Sequence, residues 1–133
     1  MIFIFSLFSE VMQKIVENCQ DQNGSRLIQQ HFESTTLEER EQIFEKILPE
    51  ALRLIQDVFG NYVIQKILEK GTYEQKVTLF EVFEGKVYML SIHTYGCRVI
   101  QKALEVDFRF FLLLLLKFVL RRSLRMMERF TRR

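Results

Sequence analysis

The 133 residues include one proline, no tryptophan and only five glycines. So little proline and glycine argues against a long disordered linker. The two cysteines, Cys19 and Cys97, form no CxxC pair. They give neither a disulfide framework nor a zinc spacing, which favours a reducing, intracellular setting. His31 and His93 stand at unmatched positions and are read as neither metal ligands nor bases. No Ser/His/Asp set or carboxylate pair recurs at a spacing suited to catalysis. No enzyme, no cofactor and no metal are therefore expected. No Asn-Gly or Asp-Gly turn joins two alternating runs, so strand signals are absent. Long hydrophobic runs are missing too. MIFIFSLF lacks a basic region and a small-residue cleavage site, so it reads as the buried face of a first helix. FRFFLLLLLKFVL (108–120) is short for a membrane span and contains Arg109 and Lys117.

What remains is enough for one helical domain, since 48% of the residues are hydrophobic. The net charge of +2 conceals an asymmetry. Residues 1–107 carry 11 Lys/Arg against 16 Asp/Glu, whereas 108–133 carry 8 Lys/Arg against Glu128 alone. The basic end needs an explanation of its own.

One decapeptide occurs three times: DQNGSRLIQQ, DVFGNYVIQK and HTYGCRVIQK. Its glycines, Gly24, Gly60 and Gly96, are 36 residues apart. A fixed period of this length marks a repeat array. An apolar segment precedes each copy: VMQKIVENC, ALRLIQ and KVYMLSI. LEEREQIFEKIL and YEQKVTLFEVF follow the first two and read as amphipathic helices. Thr36 and Thr72 suit N-caps, because a hydroxyl can accept from the free amides of a first turn. Each repeat is then about three helices, stacked as an all-α solenoid.

On a helix advancing about 100° per residue, Asn61, Tyr62 and Gln65 share one arc. Val63, Ile64, Ile67 and Leu68 share another, expected to pack. The polar arc is expected to face outward and form a ladder of Ser25, Arg26 and Gln29, then Asn61, Tyr62 and Gln65, then Cys97, Arg98 and Gln101. Leu27, Ile28 and Phe32 lie beneath its first rung, and Val99, Ile100, Ala103 and Leu104 beneath its third. A glutamine has both an amide donor and a carbonyl acceptor, so it can pair with a base edge. The residue four positions earlier, one turn away, can meet the same edge. Arg26, Tyr62 and Arg98 each offer a flat face on which a base can stack. Two edge readers and one stacker per repeat could read one base each. A polar arc is otherwise a solvated face, and Cys97 could be a small buried hydrophobe.

DVFGNYVIQK and TYGCRVIQKALE resemble the Pumilio-family (PUF) RNA-binding repeat, over residues 11–106. The pentapeptides SRLIQ, NYVIQ and CRVIQ resemble, in order, the first three repeats of such a domain. The resemblance implies a right-handed, armadillo-like solenoid of three-helix repeats, here partial, with single-stranded RNA on its concave face. It implies binding to mRNA 3′ untranslated regions in the cytoplasm, and regulation of translation or mRNA stability. Translational repressors or deadenylases are the implied protein partners. DNA is not expected, and a membrane is not the favoured partner. By the family's base code, Asn61 with Gln65 resembles a uracil pair with Tyr62 stacking. Ser25 with Gln29 and Cys97 with Gln101 resemble adenine pairs, with Arg26 and Arg98 stacking. Antiparallel binding would then read 5′-AUA-3′, similar to the 3′ end of a UGUA-type element.

The expected organisation is an N-terminal cap remnant (1–10), repeats at 11–47, 48–83 and 84–120, and a basic tail (121–133). The last helix of the third repeat is atypical: FFLLLLL stands where an amphipathic pattern belongs. A fourth glycine would fall at 132, where the residue is Arg132. Such a departure fits a truncated, frameshifted or mis-spliced gene, whose product could be a degenerate fragment without specific RNA binding. Two other readings stand beside RNA binding. One is a protein-binding helical array using the convex face. The other is membrane-surface attachment through 108–133.

Overall fold

The computed structural model describes residues 9–132, so most of the segment read as a cap remnant and first-helix face lies outside it. Residues 9–13 are helical. Nine further α-helices follow: α1 (Ile15–Cys19), α2 (Gln22–Ser34), α3 (Leu37–Ile47), α4 (Ala51–Ile55), α5 (Gly60–Lys70), α6 (Tyr73–Val82), α7 (Val87–Ser91), α8 (Gly96–Val106) and α9 (Phe108–Thr131). A 3-10 turn, Leu48–Glu50, joins α3 to α4 around Pro49. No strand occurs among the described residues. The all-α solenoid expected from the period is the fold observed.

The helices repeat as short elements (α1, α4, α7), elements that carry the decapeptide with its expected readers, here termed reading helices (α2, α5, α8), and outer elements (α3, α6, α9). The short helices α1, α4 and α7 begin at residues 15, 51 and 87, one period apart. Threonine caps start two outer helices. Thr36 Oγ1 accepts from the Glu39 N–H at 3.2 Å, and Thr72 Oγ1 from the Gln75 N–H at 3.2 Å. Gln75 returns the bond, its Oε1 accepting from the Thr72 N–H at 3.0 Å, which closes a capping box. Gln75 is almost fully buried and also donates to Glu41 Oε2 of the preceding repeat, at 2.7 Å.

The helices α2, α5 and α8 lie side by side and parallel. Near their N-terminal ends, Ser25 Oγ donates to the Phe59 carbonyl at 2.9 Å. At the C-terminal end of α2, Glu33 pairs with Lys66 and Lys70 of α5. Lys66 first, by its hydrogen bond and then its charge, holds the Glu33 carboxyl below its usual range. Between α5 and α8, Arg98 donates to the Tyr62 hydroxyl at 2.8 Å. Like ends therefore meet like ends at both junctions.

The recurrent glycine is required by a close approach. A Cβ on Gly24 would stand 2.4 Å from the Asn18 carbonyl oxygen. On Gly60 it would stand 2.9 Å from that of Leu54, and on Gly96 2.8 Å from that of Leu90. Each carbonyl belongs to the residue six positions earlier. The start of every reading helix thus lies against the end of the short helix before it, closer than a side chain permits.

One apolar core runs through the repeats and includes Phe32, Phe44, Leu54, Ile64, Leu79 and Val99. Burying each such side chain contributes about 1.5–3 kcal/mol before the ordering cost. Cys19 lies in this core, and burial first, with the Asp57 charge second, pushes its thiol up to about 12. The sequence reading placed Leu27 on the packing arc, but it is 61% exposed, while its counterparts Val63 and Val99 are 1% and 0% exposed. The described chain has no repeat ahead of α2 to cover it.

The third outer helix differs most from its neighbours. Its cap is Asp107, whose carboxylate accepts from the Phe110 N–H at 2.9 Å, so α9 begins one residue earlier than the period requires. Allowing for that shift, Leu114, Leu115 and Phe118 occupy the places of Leu79 and Phe80 in α6 and of Phe83 at its C-terminal cap. The helix then runs past Leu120 without a break.

Candidate nucleic-acid interface

Each reading helix starts with a side-chain cap three residues before its glycine. Asp21 accepts from the Gly24 N–H at 2.8 Å. Asp57 Oδ2 accepts from the Phe59 and Gly60 N–H groups at 2.9 and 2.7 Å. His93 Nδ1 accepts from the Tyr95 and Gly96 N–H groups, both at 3.1 Å. The sequence reading missed these three residues. Their constant distance from the glycine was the available signal, and the change from Asp to His obscured it. A cap also answers part of the helix dipole, which favours acceptors at this end. His93→Ala is expected to destabilise the protein by about 0.5–2 kcal/mol, as loss of an N-cap does. His93→Asp is expected to restore it, because aspartate does this work in the other two copies. Urea denaturation of both variants checks this, and equal losses in the two would reject the capping role.

The caps fix where the first residue after each glycine points, and here the outward ladder needs correction. Ser25 is 2% exposed and Asn61 is 0% exposed. Ser25 Oγ, bonded to Phe59 of the next repeat, also accepts from Gln29 Nε2 at 3.0 Å. Asn61 Nδ2 donates to the Asp57 and Val58 carbonyls at 2.8 and 3.0 Å, and its Oδ1 accepts from Gln65 Nε2 at 2.9 Å. Carbonyls of the turn before α5 thus hold Asn61 inward, and a carbonyl of that same turn, at Phe59, holds Ser25 from the repeat before it. Cys97 is half-buried, with its sulfur 3.4 Å from the Thr94 carbonyl.

The glutamines and the central residues are more accessible. Gln29 and Gln65 are half-buried and Gln101 is exposed. Because Nε2 of Gln29 and Gln65 is already donating, each directs its carbonyl oxygen elsewhere. The residue one turn earlier therefore sets what the glutamine can offer. Arg26 and Arg98 are exposed, and Tyr62 is 42% exposed. Arg98 touches Tyr62 through its hydrogen bond and lies 5.8 Å from the Tyr95 ring centroid. Flat groups from neighbouring repeats thus meet on one surface. The nine residues named from the sequence are brought together in three rows, although two of the first readers are covered.

Parallel helices that carry the same polar set at a fixed repeat define a helical-repeat binding protein. A family model described as "Pumilio-family RNA binding repeat" matches residues 19–48, 51–82 and 86–107. The chain belongs to this family. The solved Puf3 RNA binding domain bound to the Cox17 RNA 3′ UTR recognition sequence, site A, is 46% identical with a TM-score of 0.72. That match covers 74% of this chain and 29% of the Puf3 chain. PUF-8 in complex with PBE-RNA is 37% identical, with a TM-score of 0.68 over 73% of this chain and 28% of its own. The RNA-binding domain of yeast Puf5p bound to AAT2 RNA is 35% identical, with a TM-score of 0.70 over 77% and 29%. This chain therefore spans less than a third of the length of these solved chains. A comparison with curated proteins gave no match.

Proposed function

We propose that this chain is a binding module for single-stranded RNA that takes one base per repeat, in the order 5′-AUA-3′. The observation that carries the reading is the three-row face on parallel helices, with Gln29, Gln65 and Gln101 at one level and Arg26, Tyr62 and Arg98 at another. The solved relatives named above hold RNA, two of them at sequences described as 3′ UTR or PBE sites, and this supports the class of ligand. In this reading Asn61 and Gln65 serve uracil, and Ser25 with Gln29 and Cys97 with Gln101 serve adenine. Its place is the cytoplasm, on mRNA 3′ untranslated regions, where it would influence translation or decay alongside repressor or deadenylase proteins.

Base stacking contributes about 1–3 kcal/mol per base. Three bases supply roughly 3–9 kcal/mol before ordering costs, so Kd is expected between about micromolar and millimolar. Three positions match about one random site in 64, less discrimination than a specific regulator needs. Residues 1–107 also carry five more acidic than basic groups, so general phosphate attraction is weak over the repeats. The reading is tested by selecting bound RNA from a random pool with the full chain at two salt concentrations. Enrichment of AUA at both is the expected result. A pool enriched in no trinucleotide, or only in negative charge density at low salt, rejects base reading.

A further inference from the structure

The helix α9 extends well beyond what the repeats cover. Of its 24 residues only Phe111 and Leu114 are buried. Along a helix roughly 36 Å long, its side chains divide into two arcs. Phe111, Leu114 and Phe118 lie on the arc that meets the body. Continued along the helix, this same arc becomes basic, with Arg121, Arg122, Arg125 and Arg129. Arg121 pairs with Glu84, which anchors the middle of the helix to the turn that follows α6. The opposite arc is mainly apolar, interrupted by Arg109 at its start and by Ser123 and Thr131 further on. Leu113, Leu116, Leu120, Leu124, Met127 and Phe130 fall within roughly 120° of one another. Each is between 56% and 76% exposed. Outer helices in this array normally present polar groups there: Leu113 and Leu116 replace Thr78 and Glu81 of α6, and Gln42 and Glu45 of α3.

We propose that the apolar arc of α9 lies in the surface of an anionic lipid membrane. The charge pattern favours this occupant. Residues 108–133 carry eight basic groups against Glu128, so anionic headgroups complement the arginines while the leucines enter the acyl boundary. A second copy docking through α9 would bring two such basic helices together. The wide arc also differs from the narrow seam of a coiled coil. Among the described residues no helix is long and apolar enough to cross a membrane, so α9 lies along the surface. From the opposite arc, the long arginine side chains have the reach to extend around the helix toward headgroups.

Flotation of the full chain tests the proposal, using phosphatidylcholine vesicles with and without phosphatidylserine. The chain is expected to float with the anionic vesicles at least about tenfold better than with the neutral ones. Raising the salt to 1 M, where the Debye length is about 3 Å, should remove most of that difference. Leu120→Glu with Leu124→Glu should abolish flotation, and Arg122→Gln with Arg125→Gln and Arg129→Gln should erase the preference for phosphatidylserine. These positions are exposed, and circular dichroism of each variant should match that of the parent. Failure to float, or flotation unaffected by the glutamate pair, overturns the proposal. A lipid-free dimer that dissociates in the glutamate variant, with no flotation of the parent, assigns the arc to a second copy instead.

Discussion

Phe80→Ala is expected to lower the unfolding free energy by about 3–5 kcal/mol. Phe80 is 1% exposed and is the point where the outer helices of the second and third repeats meet. Its ring lies 6.0 Å from Phe83, 5.1 Å from Phe110 and 6.3 Å from Phe111, between ring centroids. Truncation removes this burial and leaves a cavity whose walls belong to α6 and α9. Small domains are stable by only about 5–15 kcal/mol, so the variant should be close to unfolding at physiological temperature. Phe80→Leu should lose less than half as much, since it keeps most of the volume. Urea melts of the three proteins measure the difference. A loss under about 1 kcal/mol for the alanine variant would show that the aromatic cluster does not hold α9 to the repeats.

The second large effect is on base choice. Asn61→Cys is expected to move the preferred middle base from U to A, so that AAA outcompetes AUA. Asn61 Oδ1 now accepts from Gln65 Nε2, which fixes the glutamine amide. A thiol accepts more weakly, so it leaves that amide free to donate elsewhere and reproduces the third repeat, where Cys97 precedes Gln101. One base-edge hydrogen bond is worth about 1–3 kcal/mol, or about 5- to 150-fold in relative affinity. Tyr62→Ala should act differently, weakening all four middle-base RNAs alike, because stacking ignores base identity. Fluorescence competition with those four RNAs reads both variants. An unchanged ranking in the Asn61→Cys protein would reject the assignment of one base to one repeat.

Much of this was legible in the period alone. The glycine spacing located the reading helices, and the two threonine caps followed from local chemistry at Thr36 and Thr72. Local rules work there because a cap depends on residues within one turn. What depended on neighbours was not legible. Leu27 and Val63 hold the same place in their helices, yet one is exposed and the other buried, because among the described residues only the second has a repeat ahead of it. Asn61 and Ser25 look polar on a helical projection, but they satisfy carbonyls at a turn the projection omits. The one-residue advance of α9 arises because Asp107 captures the helix start, a competition between caps that apolar spacing does not record.

The contact of each glycine with a carbonyl six residues earlier has a consequence for how such arrays change over generations. It is made by backbone against backbone, so the placement of a reading helix owes little to the identity of the side chains it displays. The residue two places after the glycine is Arg in the first and third copies and Tyr in the second, with Gly60 and Gly96 buried in equivalent contacts. That residue can thereby change between Arg and Tyr while the backbone contact is kept. The glycine itself has no such freedom, since a side chain there would alter the pitch of the array and shift every reader after it.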